Sequence, residues 1–187
     1  MNYPGNIKKN YTKNTNYGNR GMFLEGLINQ ANEQYLEKDI AIIYKKPTPI
    51  QVVKYDYDSK RIKDAYYMSE STLDYNGIYN GYYIEFDAKS TNTNNLPIAN
   101  IANHQLNHLE KIMNHKGIAF LIIMINEEAY LLPGKEVLSF INSNQRKSIP
   151  YSYIKENGYK LKIDYLKGID YIPAVDLLIK EMCDEKN

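Results

Sequence analysis

Glu85, Asp87 and Lys89 alternate along the stretch Tyr83-Ile84-Glu85-Phe86-Asp87-Ala88-Lys89, and a further acid, Asp74, precedes them in Asp74-Tyr75-Asn76-Gly77. In an extended strand successive side chains point to opposite faces. Glu85, Asp87 and Lys89 would then share one face, and Ile84, Phe86 and Ala88 the other. Neighbours on the polar face stand roughly 7 Å apart. If Asp74 occupies an adjoining strand, its carboxylate can meet that of Asp87. Two carboxylates so placed repel each other, and a divalent cation between them removes the conflict. Hard oxygen donors in small number suit magnesium, which keeps several of its waters. A lysine beside such an ion has a use in phosphodiester hydrolysis. The attacking water loses a proton while negative charge builds on the phosphoryl oxygens, and an ammonium group can hold that water or offset that charge. A half-exposed structural strand has the same appearance as this hexapeptide, so the motif alone does not choose between the two.

The surrounding pattern supplies elements to position these groups. Asn19 can cap a helix over 20–37, whose Phe23, Leu27, Ala31 and Tyr35 recur every four residues beside Leu24 and Ile28. Strands over 40–44 and 50–55 flank Lys45-Lys46-Pro47-Thr48-Pro49, where the prolines favour an edge, bulge or turn. Residues 55–70 are polar and too long for a tight hairpin, which predicts a projecting excursion. Asn76-Gly77 and Asn80-Gly81 are turn signals in a meander of short aromatic strands. A polar loop at 91–95 leads to a helix over 98–115, with Ile101, Leu109, Ile112 and Met113 inward and Gly117 near its end. Strands follow at 117–125 and 129–132, a helix at 134–141, a strand at 159–164 and a helix at 173–182. Early strands, then a helix crossing to a wholly apolar strand, predict an α/β protein with a mixed central sheet flanked by helices.

The 187 residues suit one domain, read as 20–187, behind a disordered basic arm at 1–19. Lys8, Lys9, Lys13 and Arg20 precede the first acid, Glu25, and a second basic cluster comprises Lys45, Lys46, Lys54, Lys60, Arg61 and Lys63. The net charge is only +1, so the clusters rather than the total invite a phosphate backbone. Arg20, Lys45, Lys46, Lys60, Arg61 and Lys63 are the DNA-binding candidates. A single cysteine, Cys183, allows no intrachain disulfide. No stretch is long and apolar enough to span a membrane and the first twenty residues lack a signal-like core, so a cytoplasmic protein is expected.

The motifs Asn19-Arg20-Gly21-Met22, Leu24-Glu25, Lys45-Lys46-Pro47-Thr48-Pro49, Ser71-Thr72, Asp74-Tyr75-Asn76-Gly77, Ile84 to Lys89, Pro97 and His104-Gln105 occur in one order over residues 17–177. In that order and spacing the chain resembles the RecU family of Holliday junction resolvases. The resemblance implies a restriction-endonuclease-like nuclease core with a stalk at 55–70. Thr72, Asp74, Asp87 and Gln105 would surround Mg2+, with Lys89 as transition-state stabiliser. Glu25, on the first helix, is a further acid that nucleases of this class often place there. The resemblance also implies a homodimer acting on four-way junction DNA in recombination and repair, and interplay with a RecA-type recombinase. The rivals are a junction-binding or recombinase-modulating protein with a weak or silent site, and a nuclease of the same fold acting on other DNA.

Two departures from the family pattern stand out. The family commonly has Glu where this chain has Asp87, and Asp where it has Glu85. Both acids point the same way, and Asp87 is favoured because it stands two before Lys89. Leu73 replaces a residue that is often Thr, with little consequence expected. His104 and His108 have the i, i+4 spacing of a zinc pair but lack a third soft ligand nearby. Most of the nineteen tyrosines are expected to be half-buried strand residues, and Cys183 to be inert.

Overall fold

The computed structural model describes residues 17–68, 72–143 and 145–184, with side chains from residue 21 onward. In chain order the elements are α1 (Tyr17–Glu37), β1 (Ile42–Lys45), β2 (Ile50–Asp56), β3 (Arg61–Tyr67), β4 (Tyr75–Tyr79), β5 (Tyr82–Thr91) and β6 (Asn95–Pro97). A single 3-10 turn (Ile98–Asn100) precedes α2 (Asn103–Asn114), β7 (Ile118–Ile125), β8 (Glu128–Pro133) and α3 (Gly134–Ser143). The chain ends through β9 (Ser148–Pro150), α4 (Tyr151–Asn157), β10 (Tyr159–Asp164), β11 (Gly168–Asp170) and α5 (Ile172–Asp184).

Seven strands form the main sheet in the order β1-β4-β5-β7-β8-β10-β11. Only β5 and β7 run parallel; the other neighbours are antiparallel. A parallel pair needs a crossover, and the path through β6, the 3-10 turn and α2 supplies it. Every residue of β7 is buried because both faces of the sheet are covered. One core lies under α1 and α5 and contains Leu24, Ile28, Tyr75, Phe86, Phe120 and Val175. The other lies under α2, α3 and α4 and contains Leu73, Leu109, Leu121, Val137 and Ile154. Phe86 stacks between Tyr75 and Phe120, with ring centroids 4.9 and 4.7 Å away. These cross-strand pairs hold β4, β5 and β7 in one register. The expected mixed α/β architecture is therefore what the chain adopts.

Several local expectations are corrected. Tyr17 to Asn19, read as the end of the arm, open α1, so Asn19 lies inside the helix and does not cap it. Residues 1–16 of the arm lie outside the described residues. Asn76-Gly77 is not a turn but the middle of β4. A Cβ at Gly77 would come 2.0 Å from the Ile42 carbonyl oxygen, so glycine is there for the close approach of β1. Asn80-Gly81 alone makes the hairpin, with φ of 48° and 81°. The helix expected over 98–115 is interrupted: Ile101 adopts an extended conformation, and α2 starts only at Asn103. β9, α4 and β11 are short elements without a period long enough to register in the sequence.

Within the excursion at 55–70, β3 forms a β-hairpin with β2. The two strands pair with each other and with no strand of the main sheet. All their residues are exposed except the half-buried Asp56. Residues 69–71, including the motif residue Ser71, lie outside the described residues. Leu73, expected to matter little, is fully buried because a bend at Asp74 turns it into the core under α2. No helix among the described residues is long and apolar enough to cross a membrane.

Candidate active site

β5 is an interior strand, so its polar face is not the half-exposed surface that its alternation suggests. Glu85 is 1% exposed and Asp87 0%, beneath α2. Buried carboxylates need partners, and the fold gives each acid a different set.

Asp87 meets Lys89 and Gln105. Lys89 Nζ lies 2.6 Å from Asp87 Oδ2, and Gln105 Nε2 donates to the same oxygen at 3.0 Å. Gln105 sits in the first turn of α2, and all its polar capacity is used. Its Oε1 accepts from the Ala102 N–H and from Lys89 Nζ, both at 3.2 Å, and its Nε2 also donates to the Thr72 carbonyl at 3.2 Å. The two donors facing Oε1 fix the amide's orientation. One side chain thereby caps the helix and ties α2 to Asp87, Lys89 and the loop before β4.

Asp74 arrives by sheet register. β4 and β5 pair Tyr75 with Phe86 and Asn76 with Glu85, so one step further brings Asp74 opposite Asp87. The backbone N–H of Lys46 donates to the Asp74 carbonyl at 2.7 Å and holds that end of the strand. Burial raises the Asp74 carboxyl to about 7, and the facing Asp87 carboxyl adds to the rise; Lys89 and Lys45 oppose it. Asp87 Oδ1 is buried without a hydrogen-bond partner. The two acids press on each other despite Lys89 and Lys45, and no donor other than the facing Asp74 carboxyl is at hand for the buried Oδ1. A divalent cation fits both features.

Glu85 belongs to a second network. Lys46 Nζ contacts both Glu85 Oε1 and Thr72 Oγ1. Tyr83 donates its hydroxyl to Glu85 Oε2 at 2.6 Å, and His108 Nε2 lies 3.0 Å from Oε1. Burial by itself would raise the Glu85 carboxyl, but Lys46, Tyr83 and His108 together hold it below the usual glutamate value. Glu85 is already satisfied, whereas Asp87 is not.

The structure thus brings Asp74, Asp87, Lys89 and Gln105 into one cluster. Thr72 touches it through its carbonyl, while its hydroxyl turns to Lys46 and Glu85 (3.3 Å from Oε1). Glu25 approaches the cluster through Lys45, which also acts on Asp74. The Glu25 carboxylate lies 2.5 Å from Lys45 Nζ. Lys45 and Lys46 follow one another at the end of β1 and go to opposite sides, one to α1 and one to Glu85. Of the other basic candidates, Lys60 lies at the hairpin tip with φ 53°, Arg61 opens β3, and Lys63 pairs with Asp56 at 2.7 Å. The Arg20 side chain lies outside the described residues.

His108, considered in the sequence only for a zinc pair with His104, takes up a different position, against Glu85. The spacing signal was present: Gln105 and His108, three apart on a helix, match Asp87 and Glu85, two apart on a strand. Among the described residues no three His, Cys, Asp or Glu side chains gather to hold a metal by themselves. The acid pair would need other oxygen donors, such as water, to complete a coordination shell.

Fold and site together define an α/β protein whose central sheet presents an Asp–Asp–Lys cluster. A family model described as Recombination protein U matches residues 19–177. The chain belongs to the RecU family. Relatives bearing the name Holliday junction resolvase RecU include one from Oceanobacillus iheyensis, 44% identical over 194 residues, covering 95% of this chain and 99% of the relative. Another, from Staphylococcus aureus, is 40% identical over 207 residues and covers 100% of both chains. A solved structure of Archaeoglobus fulgidus Hjc, a Holliday junction resolvase, gives a TM-score of 0.44 at 10% identity, over 71% of this chain and 94% of that one. A likeness of that size adds no weight to the family match.

Proposed function

We propose that this protein is a Holliday junction resolvase, an endonuclease that hydrolyses phosphodiester bonds in four-way DNA junctions with Mg2+ held between Asp74 and Asp87. The observation that carries the reading is the buried, partnerless Asp87 Oδ1 beside a raised Asp74 carboxyl, with Lys89 at 2.6 Å from Asp87. Membership of a family whose relatives bear the resolvase name supports the choice of substrate.

Bound there, magnesium would lower the pKa of a water and offset charge on the phosphoryl oxygens. Asp74 and Asp87 would hold it, with the Thr72 carbonyl and Gln105 next to them. Lys89 is braced by Asp87 and Gln105, so its ammonium is preorganised to hold the attacking water or stabilise the developing charge. Its Asp87 contact also keeps the acid pair tolerable when no cation is present. The Lys46–Glu85–His108 network fixes Thr72 and the start of β5 without entering the chemistry.

One such site makes one nick, and a single nick leaves the four arms joined. Resolution therefore calls for a homodimer whose two-fold axis matches that of the junction. The exposed β2–β3 hairpin is the stalk that would enter the open centre of the junction, a space that a duplex lacks. Strand exchange by a RecA-type recombinase creates such junctions, which makes it the natural partner in the cytoplasm.

The deciding experiment incubates purified protein with a four-way junction and a matched duplex, with and without Mg2+. A dimer in solution, paired symmetric incisions and cutting only with the cation are expected. A monomer that nicks junction and duplex equally well would sink the resolvase reading.

A further inference from the structure

α2 crosses β5 in the opposite sense, so the pairings step along both elements. Gln105 lies over Asp87, and His108 over Glu85. Beyond them, the end of α2 meets the start of β5, where a Cβ on Gly117 would lie 3.4 Å from the Tyr83 ring. A groove of about 630 Å³ follows this crossing away from the catalytic acids. Tyr83, Glu85, His108, Lys111, His115 and Lys116 are among its lining residues.

The charge of this groove is one-sided. Glu85 is the only acid among its described lining residues and is already paired with Lys46. Lys111 and Lys116 are exposed, and neither makes an ion pair among the described residues. The fold holds both in place. Lys111 occupies the last turn of α2, and Lys116 has φ 67° in the turn that ends the helix, where the Gly117 N–H donates to the Ile112 carbonyl at 2.9 Å. A polyanion approaching Asp74 and Asp87 is repelled by them, and a flanking pair of unneutralised lysines supplies the opposing field. The rings of Tyr83, His108 and His115 offer flat surfaces for sugars and bases.

We infer that this groove is a track for the phosphodiester backbone of the strand being cut, with Lys111 and Lys116 contacting phosphates to one side of the scissile bond. The inference rests on the resolvase reading and adds the path that the strand follows. From Asp87 to Tyr83 the strand covers about 13 Å, roughly four steps at about 3.4 Å per phosphate along a duplex axis.

The test measures junction affinity against KCl concentration, without divalent cation, for the full chain and for Lys111→Gln/Lys116→Asn. Glutamine keeps the helix and asparagine accepts the left-handed backbone, so the melting temperature should not move. Each lost phosphate contact flattens the slope of log affinity against log salt by about 0.9. The double variant should therefore lose nearly two units of slope, and its KM for the junction should rise. Lys180→Gln, on α5 across the sheet, should keep the parental slope. Parental binding with a slope that the double variant retains overturns the track alone. Failure of the parent protein to bind the junction removes the functional reading as well.

Discussion

Asp74 and Asp87 face each other one step beyond the Tyr75–Phe86 pair, with Lys89 in contact with Asp87 and Lys45 acting on Asp74 from further off. This arrangement is costly without a cation, and its cost depends on pH. Asp74 rises from 3.8 to about 7 through burial first and Asp87 second. Its folded value lies above its unfolded one, so between about pH 4 and 7 the folded chain binds more protons. Stability through this group is present at low pH and falls as pH rises across that window.

Asp74→Asn should therefore raise the melting temperature of the metal-free protein at pH 8 and raise it clearly less at pH 5, where part of the unfolded-state ionisation has already occurred. Each kcal/mol relieved corresponds to about 2–4 °C in a chain of this size. Added magnesium should stabilise the parent and not the variant. Thermal melts at the two pH values check this; a variant destabilised at pH 8 would contradict the raised carboxyl.

Asp87→Asn and Asp74→Asn should each lower junction cleavage by more than about 100-fold, since even the outer partners of a metal site cost 10- to 100-fold. Junction binding should survive. Cleavage and gel-shift assays on the same preparations separate the two effects.

Glu85→Gln should leave cleavage within about tenfold of the parent, because Glu85 is satisfied by Lys46, Tyr83 and His108. Its cost should fall on stability, about 1–3 kcal/mol for a weakened buried network, read from urea unfolding. A dead Glu85→Gln beside an active Asp87→Asn would reverse the assignment of the two acids.

Lys89→Ala should reduce turnover by about 10²- to 10³-fold, the scale of losing one preorganised charge-stabilising donor. Magnesium affinity, measured by calorimetry, should not weaken, since the ammonium competes with the ion for the acid pair. A parallel loss of affinity would make Lys89 a structural counter-ion.

The hairpin pairs Lys54 with Asp64, so deleting residues 55–63 and joining Lys54 to Asp64 through Asn-Gly keeps the rest of β2 and β3 in register. Preference for the junction over duplex should disappear. The melting temperature and duplex nicking should persist, because the stalk shares no strand pairing with the main sheet. Competition binding between the two DNAs gives the readout.

The alternation of Glu85, Asp87 and Lys89 was legible in the sequence because a strand's two-residue period is a property of the backbone, and so was the apolar run of β7, buried on both faces. The family motifs named the same acids. Which acid stands unsatisfied was not legible, since Glu85 and Asp87 point the same way and differ only in what α2 and β1 bring above them. The docking of α2 puts Gln105 on Asp87 and His108 on Glu85, and the end of β1 delivers Lys46 to Glu85. That Glu25 pairs with Lys45 at the end of β1 was likewise not legible. Asn76-Gly77 carries the composition of a turn, yet the approach of Ile42 demands a glycine in mid-strand. The projecting excursion was legible from its length and polarity, but its strand β3 was not, because a hairpin strand exposed on both faces shows no apolar alternation. Local periods come from each segment's own backbone, whereas register and docking come from packing between segments distant in sequence, which only the folded core decides.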